Sequence, residues 1–126
     1  MSIDDSKNLT AEKIKEKAMK LFDTKTLLFN DKGVDVCEYQ SFYKITTIKK
    51  LLNNVDLVTT AQTFFDNALN TSQASINGFM HRNTMVYRLH KIKSLTGLDI
   101  RDFYDAVILN NIILFKQYID SLTKVN

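Results

Sequence analysis

The chain has 126 residues, of which 44% are hydrophobic and 25% are charged. This composition is sufficient to bury a core and excludes a disordered tail. The formal net charge of +3 is typical of a lysine-rich solvated surface and by itself predicts no partner. A single cysteine, Cys37, excludes an internal disulfide, and we expect it to be a small buried apolar side chain rather than a nucleophile.

The two ends of the chain carry no sign of a membrane or secretory segment. The first residues, MSIDDSKNLTAEK, are acidic and polar, unlike a signal peptide. The longest apolar run, AVILNNIILF, is interrupted by Asn110 and Asn111 and is shorter than the roughly 20 residues needed to cross a bilayer. We therefore expect a cytoplasmic protein with no membrane partner.

The first half of the chain predicts helices with one interruption. Thr10 can cap a helix over residues 11–22 whose core face is Ile14, Ala18 and Leu21. Two short apolar stretches then flank the loop Asn-Asp-Lys-Gly, which predicts a small β-hairpin over residues 26–37. Ser41 is expected to open the next helix, with Ile45, Ile48, Leu51 and Leu52 facing inward.

The second half predicts three further helices before the last one. A helix beginning at Asp56 or Thr59 would bury Ala61, Phe64, Phe65 and Ala68. The cluster Asn-Thr-Ser at 70–72 then caps a short helix that ends at Gly78, and a second helix runs to about Leu95 and ends at Gly97. We expect both glycines to adopt the left-handed conformation that closes a helix. Two short helices joined by a tight turn form the helix-turn-helix pattern, here over residues 72–95.

Charge is distributed unevenly around the second of these helices. Between Asn67 and Leu98 there is no carboxylate, and the four fixed positive charges include two of the three arginines of the chain. On a helical wheel Met85, Leu89 and Ile92 form the apolar stripe. The opposite side carries Thr84, Tyr87, Arg88 and Lys91.

These side chains suit the recognition of duplex DNA. Arg82 and Asn83 stand at the helix start, the end that enters the major groove, where Arg can pair with guanine and Asn with adenine. Hydroxyl groups and Lys91 suit phosphate oxygens. The commoner role of a basic helix face is a solvated surface. The missing acids, the capped helix upstream and the mixture of polar residues favour DNA.

The block HRNTMVYRLHKIKSLTGLDI, residues 81–100, resembles the C-terminal helix-turn-helix domain of PucR/CdaR-type bacterial transcriptional regulators. Their hallmark is His-Arg-Asn-Thr, then Tyr-Arg-Leu, a basic residue followed by Ile, and Thr-Gly-Leu-Asp. The resemblance covers residues 60–115 and implies a sequence-specific DNA-binding regulator of transcription. The DNA-binding residues that we predict are Ser72, His81, Arg82, Asn83, Thr84, Tyr87, Arg88 and Lys91.

The chain departs from the family pattern in two respects. Ser75 and Gly78 stand where the family usually has Ala and Leu. Gly78 removes a core side chain, which predicts that the first helix of the motif packs loosely or sits differently on DNA. In addition, about sixty residues before the motif cannot hold a sensory domain of the usual size. Two interpretations stay open: a DNA-binding regulator without a large sensory domain, or an accessory interaction module that dimerises with a related regulator and binds DNA weakly or not at all.

The last helix and the candidate catalytic residues complete the prediction. The apolar residues of the last helix exceed a single stripe, which indicates either a helix buried in its own domain or a two-fold dimer interface.

His81 and His90 have no third metal ligand at a suitable spacing, so we predict no enzyme, metal, cofactor or small-molecule ligand. We expect a mainly α fold, with a helical and hairpin segment at 1–55 packed on a helix-turn-helix domain at 56–126.

Overall fold

A computed structural model describes residues 9–29 and 36–123, and these residues form helices without any strand. The mainly α fold is therefore confirmed. The described helices are α1 (Ala11–Phe22), α2 (Thr24–Phe29), α3 (Val36–Tyr43), α4 (Thr46–Asn53), α5 (Val55–Asp66), α6 (Thr71–Asn77), α7 (Arg82–Thr96) and α8 (Phe103–Thr123).

Helix α1 begins as the sequence predicts. The Thr10 hydroxyl accepts a hydrogen bond from the Lys13 N–H at 3.3 Å, which satisfies one of the amides that the first turn leaves without a helical partner. The buried face consists of Ile14, Ala18 and Phe22. Leu21, which was predicted to complete this face, is half-buried and packs at its edge.

The predicted β-hairpin is wrong in both of its arms, which belong to α2 and α3, while its turn at 30–35 lies outside the described residues. Tyr39, Phe42 and Tyr43 are all buried. Their spacing places them on one face of a helix, whereas a strand would turn Phe42 away from the other two. Cys37 lies on the other side of α3 and is exposed, not buried as expected.

Side chains from α3 and α8 donate hydrogen bonds to the last carbonyl groups of α1. The last carbonyl groups of a helix have no partner within the helix. Here the Tyr39 hydroxyl donates to the Leu21 carbonyl at 2.6 Å, and the Asn111 amide donates to the Phe22 carbonyl at 2.8 Å. Asn111, which interrupts the apolar run of α8 in the sequence, therefore holds α8 against α1.

A second tyrosine of α3 makes a buried hydrogen bond to α8. The Tyr43 hydroxyl donates to the Ile112 carbonyl at 2.5 Å. Burial raises the pKa of Tyr43 above its ordinary value, with smaller contributions from Tyr39 and Asp120. The phenol consequently stays protonated and keeps its role as a donor.

The starts of α4 and α5 differ from the predicted ones. Ser41 lies within α3, and α4 begins at Thr46. Helix α5 begins at Val55 because Asn54 caps it, with the Asn54 amide oxygen accepting from the Leu57 N–H at 3.1 Å. The predicted core residues Ile45, Ile48, Leu51, Ala61 and Phe64 are buried, whereas Leu52 and Phe65 are half-buried and Ala68 is exposed beyond the end of α5.

Helix α8 supplies a large part of the core. It packs against α1, α2 and α5. Its buried apolar residues are Ala106, Ile108, Leu109, Ile112, Ile113 and Ile119. Among the side chains of α8 that the structure describes, most of the apolar surplus is thus buried within its own chain, and the large ones that remain exposed are Phe103, Tyr104, Leu114 and Tyr118.

Gly97 ends α7 and packs against the first residue of α1. It has the predicted left-handed conformation, with φ of 78°, and its N–H donates to the Lys93 carbonyl at 2.7 Å. A Cβ atom at this position would lie 2.3 Å from the Ala11 carbonyl oxygen. Glycine is therefore required both by the backbone conformation and by the approach of α1.

We expect Gly97→Ala to lower the free energy of unfolding by about 2–4 kcal/mol, because it combines a left-handed non-glycine residue with a backbone clash. Gly78→Ala is the matched control. Gly78 has φ of −88°, and its Cβ would lie 3.0 Å from the Ala74 carbonyl oxygen. That change should cost about 1 kcal/mol or less. Urea unfolding measures both variants, and equal losses would show that α1 can move away from Gly97.

Candidate nucleic-acid interface

Helices α6 and α7 form the predicted helix-turn-helix, and α6 begins at a side-chain cap. The Asn70 amide oxygen accepts from the Gln73 N–H at 2.8 Å. Ser72 lies in the first turn of α6 and is exposed. Buried Ser75 donates its hydroxyl to the Thr71 carbonyl at 2.7 Å, so this serine satisfies its polar group within the helix.

The left-handed residue of the turn is Phe79, with φ of 54°, and not Gly78 as predicted. Gly78 has a different role, because its Cβ would lie 3.4 Å from the Thr63 methyl group of α5 and 3.0 Å from the Ala74 carbonyl oxygen. The expected loose packing is therefore wrong at this position, where α6 approaches α5 closely. The Phe79 side chain is 97% exposed.

Helix α7 presents the predicted apolar stripe to the core. His81 precedes it and caps it, with Nδ1 accepting from the Asn83 N–H at 3.1 Å. Because Nδ1 is the acceptor, Nε2 carries the proton of the neutral ring. Met85, Leu89 and Ile92 are buried, as the wheel predicts. This burial fixes which face of α7 points away from the protein.

The outward face of α7 is a polar stripe that we call the outer stripe: Asn83, Tyr87, His90 and Ser94. All four residues are exposed, and their spacings of four, three and four keep them on one side of a helix. His90 and Ser94 are absent from the predicted site. The periodicity that selects Asn83 and Tyr87 also selects them, so the signal was present in the sequence.

The remaining predicted residues of α7 fall into different environments. Arg82 is exposed beside Asn83 in the first turn, and His81 is exposed at the cap. Thr84 is half-buried on the flank of the helix. Lys91 is exposed on the same flank, two turns further along. The predicted set is thus brought together along α7, with Ser72 on the neighbouring helix.

Arg88 is turned toward α5. Its guanidinium lies 3.7 Å from the Asp56 carboxylate and donates to the Thr60 hydroxyl at 3.5 Å. It also contacts the Met80 sulfur at 4.0 Å. Thr60 is fully buried and donates its own hydroxyl proton to the Asp56 carbonyl. Arg88 therefore joins α7, α5 and the turn of the motif.

The described part of the chain contains neither a cluster of metal-binding side chains nor a membrane-spanning helix. No group of three or more His, Cys, Asp or Glu side chains lies close enough to hold a metal ion there. None of the described helices is both long and apolar enough to cross a bilayer. Among the described residues, the polar surface around α7 is the site that best matches the sequence prediction.

We expect Arg88→Ala to lower the free energy of unfolding by about 1 kcal/mol, since it removes a half-buried hydrogen bond and an ion pair to a well-exposed Asp56. Tyr87→Ala, at the neighbouring and exposed position, should change it by less than about 0.5 kcal/mol. Thermal and urea unfolding measure the difference. If the two variants are equally stable, the guanidinium does not tie α7 to α5.

Comparison with known proteins identifies the same segment. Residues 57–110 match the family model described as the PucR C-terminal helix-turn-helix domain. Over 65 residues the chain is 37% identical to the carbohydrate diacid regulator of Escherichia coli (strain K12). This aligned segment covers 52% of this chain and 17% of that protein. No solved structure matches the chain significantly.

Proposed function

Because residues 57–110 belong to the PucR C-terminal helix-turn-helix family, we propose that the chain is a sequence-specific DNA-binding regulator of transcription that acts in the cytoplasm. The observation that carries this proposal is the outer stripe of α7, together with exposed Arg82 at its start. An outward polar face that begins with Arg and Asn fits the major groove. The proposal includes no catalytic step, cofactor or small-molecule ligand.

The residues of the site take different roles in this proposal. Arg82 and Asn83 enter the groove first and contact base edges or the phosphates beside them. Tyr87 and Lys91 contact the backbone further along the helix. Ser72 is exposed at the start of α6, where helix-turn-helix domains meet phosphates, and His81 and Thr84 flank the first turn of α7.

Arg88 has a different role from the one that its sequence position suggests. Its contacts with Asp56 and Thr60 make it a positioning residue for α7. Its loss would then weaken DNA binding through the orientation of the helix and would not relax the preference at a single base. Arg82 keeps the role of a base-reading candidate, because its side chain is exposed at the groove-entering end.

We expect Lys91→Ala to weaken binding to all duplexes similarly and to lower the salt slope by about one, as the loss of one phosphate contact does. Arg82→Ala should cost about 1–3 kcal/mol and relax preference at one base pair if the guanidinium reads guanine. Selection from random duplexes followed by titration at several salt concentrations measures both effects.

The control is Lys17→Ala on α1, an exposed lysine outside the site, which should leave affinity unchanged. If Arg82→Ala and Lys91→Ala bind DNA as the unaltered folded protein does, DNA recognition by α7 is refuted. The second candidate function then applies, an accessory module that pairs with a related regulator and binds DNA weakly or not at all.

The exposed apolar side chains of α8 support pairing between chains. Leu114 and Tyr118 are 52% and 51% exposed and lie one turn apart. Val107 and Phe103 continue the same side of the helix toward its start. We propose that this side forms a two-fold homodimer interface, which would present two copies of α7 to two half-sites.

Tyr118→Lys should shift the protein from dimer to monomer in sedimentation equilibrium, because it places a charge in the apolar interface. Met19→Lys is the matched control, since Met19 is a comparably exposed apolar side chain on α1. It should leave the mass unchanged. An unaltered protein that stays monomeric at high concentration would reject the dimer.

A further inference from the structure

An open groove of about 600 Å³ runs beside α7 on the side of Lys91. Its walls come from the end of α4, the start of α5 and the third turn of α7. The lining residues are Lys50, Asn53, Asn54, Val55, Asp56, Leu57, Lys91 and Leu95. Five of the lining residues lie before Leu57, in α4, the α4–α5 junction or the first two residues of α5, so this wall lies outside the segment that matches the family model, residues 57–110.

The groove brings two lysines from different helices to one surface. Lys50 of α4 and Lys91 of α7 are both exposed, and neither forms an ion pair with a described residue. Asp56 is the one carboxylate among the lining residues, and its Oδ2 lies 3.7 Å from the Arg88 guanidinium. The negative charge in the groove therefore has its own partner.

The two asparagines of the wall, Asn53 and Asn54, differ in whether their side-chain amides are already engaged within the protein. The Asn54 amide oxygen is engaged with the Leu57 N–H at 3.1 Å, because it caps α5. Asn53 is exposed, and its amide can donate to an anion at the rim of the groove. Two ammonium groups in one groove repel each other, and phosphates bound beside them offset this repulsion.

The groove lies along the flank of the proposed reading helix. A helix in the major groove has a phosphate backbone on each flank, since the groove is about 12 Å wide. Lys91 stands at the edge of the outer stripe, on the flank that faces Lys50 across the groove. Lysine is a point charge on a flexible stem, which suits a phosphate better than a base edge.

We propose that Lys50, assisted by Asn53, binds a phosphate of the DNA backbone next to the one bound by Lys91. The segment before the helix-turn-helix motif would thereby extend the DNA interface and widen its footprint. This inference rests on the proposed function, because it requires that α7 enters the major groove. It assigns a binding role to a helix that the family match does not include.

The test is the salt dependence of duplex DNA binding between about 50 and 200 mM monovalent salt. Lys50→Gln should lower the slope of log K against log salt by about one, and equally for every duplex sequence. Lys49→Gln is the matched control: Lys49 is the adjacent exposed lysine on α4 and does not line the groove. It should leave the slope unchanged.

Two further variants test whether the charge alone matters and whether each lysine binds its own phosphate. Lys50→Arg keeps the charge and should keep the slope. The double variant Lys50→Gln, Lys91→Gln should lower the slope by about two if each lysine holds its own phosphate. Circular dichroism and urea unfolding establish that every variant is folded.

The outcomes separate this inference from the proposed function. If the unaltered protein binds duplex DNA and Lys50→Gln has the same slope, the groove inference is overturned and the proposed function stands. Equal losses from Lys49→Gln and Lys50→Gln would also overturn it, because they would indicate a general charge effect. If the unaltered folded protein binds no duplex, the proposed function itself fails.

Discussion

The approach of α1 to Gly97 holds the C-terminal end of α7, the helix proposed to read DNA. The Ala11 carbonyl occupies the space of a side chain at position 97, so α1 lies directly on the end of α7. Lys15, one turn further along α1, lies 3.5 Å from buried Asp105, whose carboxylate also accepts the Asp99 N–H at 2.9 Å. These contacts join α1, the end of α7 and the start of α8, and we infer that the N-terminal segment and the helix-turn-helix fold as one unit.

The positive charges of α7 are less alike in the structure than in the sequence. No carboxylate lies between Asn67 and Leu98, yet the fold brings Asp56 of α5 to Arg88, and Asp99, just after this stretch, to within 3.9 Å of Lys93. Lys91 and Arg82 keep their charge toward solvent. A run without acids along the chain therefore overstates the cationic surface, because residues outside the run supply the counter-charges.

Features that depend on local chemistry could be predicted from the sequence. The side-chain caps at Thr10 and Asn70 depend on residues within three positions. The buried stripe of α7 and the left-handed Gly97 depend on residues within about two helical turns. The hairpin, the role of Gly78 and the orientation of Arg88 could not, because each depends on a partner distant in the chain. The aromatic residues of α3 have the spacing of one helical face, but the contacts with α1 and α8 that bury this face come from residues distant in the chain.

The two ends of α7 are constrained in different ways, and the middle of the helix is tied to α5 through Arg88. Gly97 is fixed by α1, whereas the turn before α7 projects Phe79 into solvent in a left-handed conformation that costs about 1–2 kcal/mol. The Met80 N–H donates to the Ser75 carbonyl at 2.9 Å, and this hydrogen bond stabilises the turn. The exposed side chains of Arg82 and Asn83 follow this turn, so in the proposed complex they can meet a base edge without displacing any part of the core.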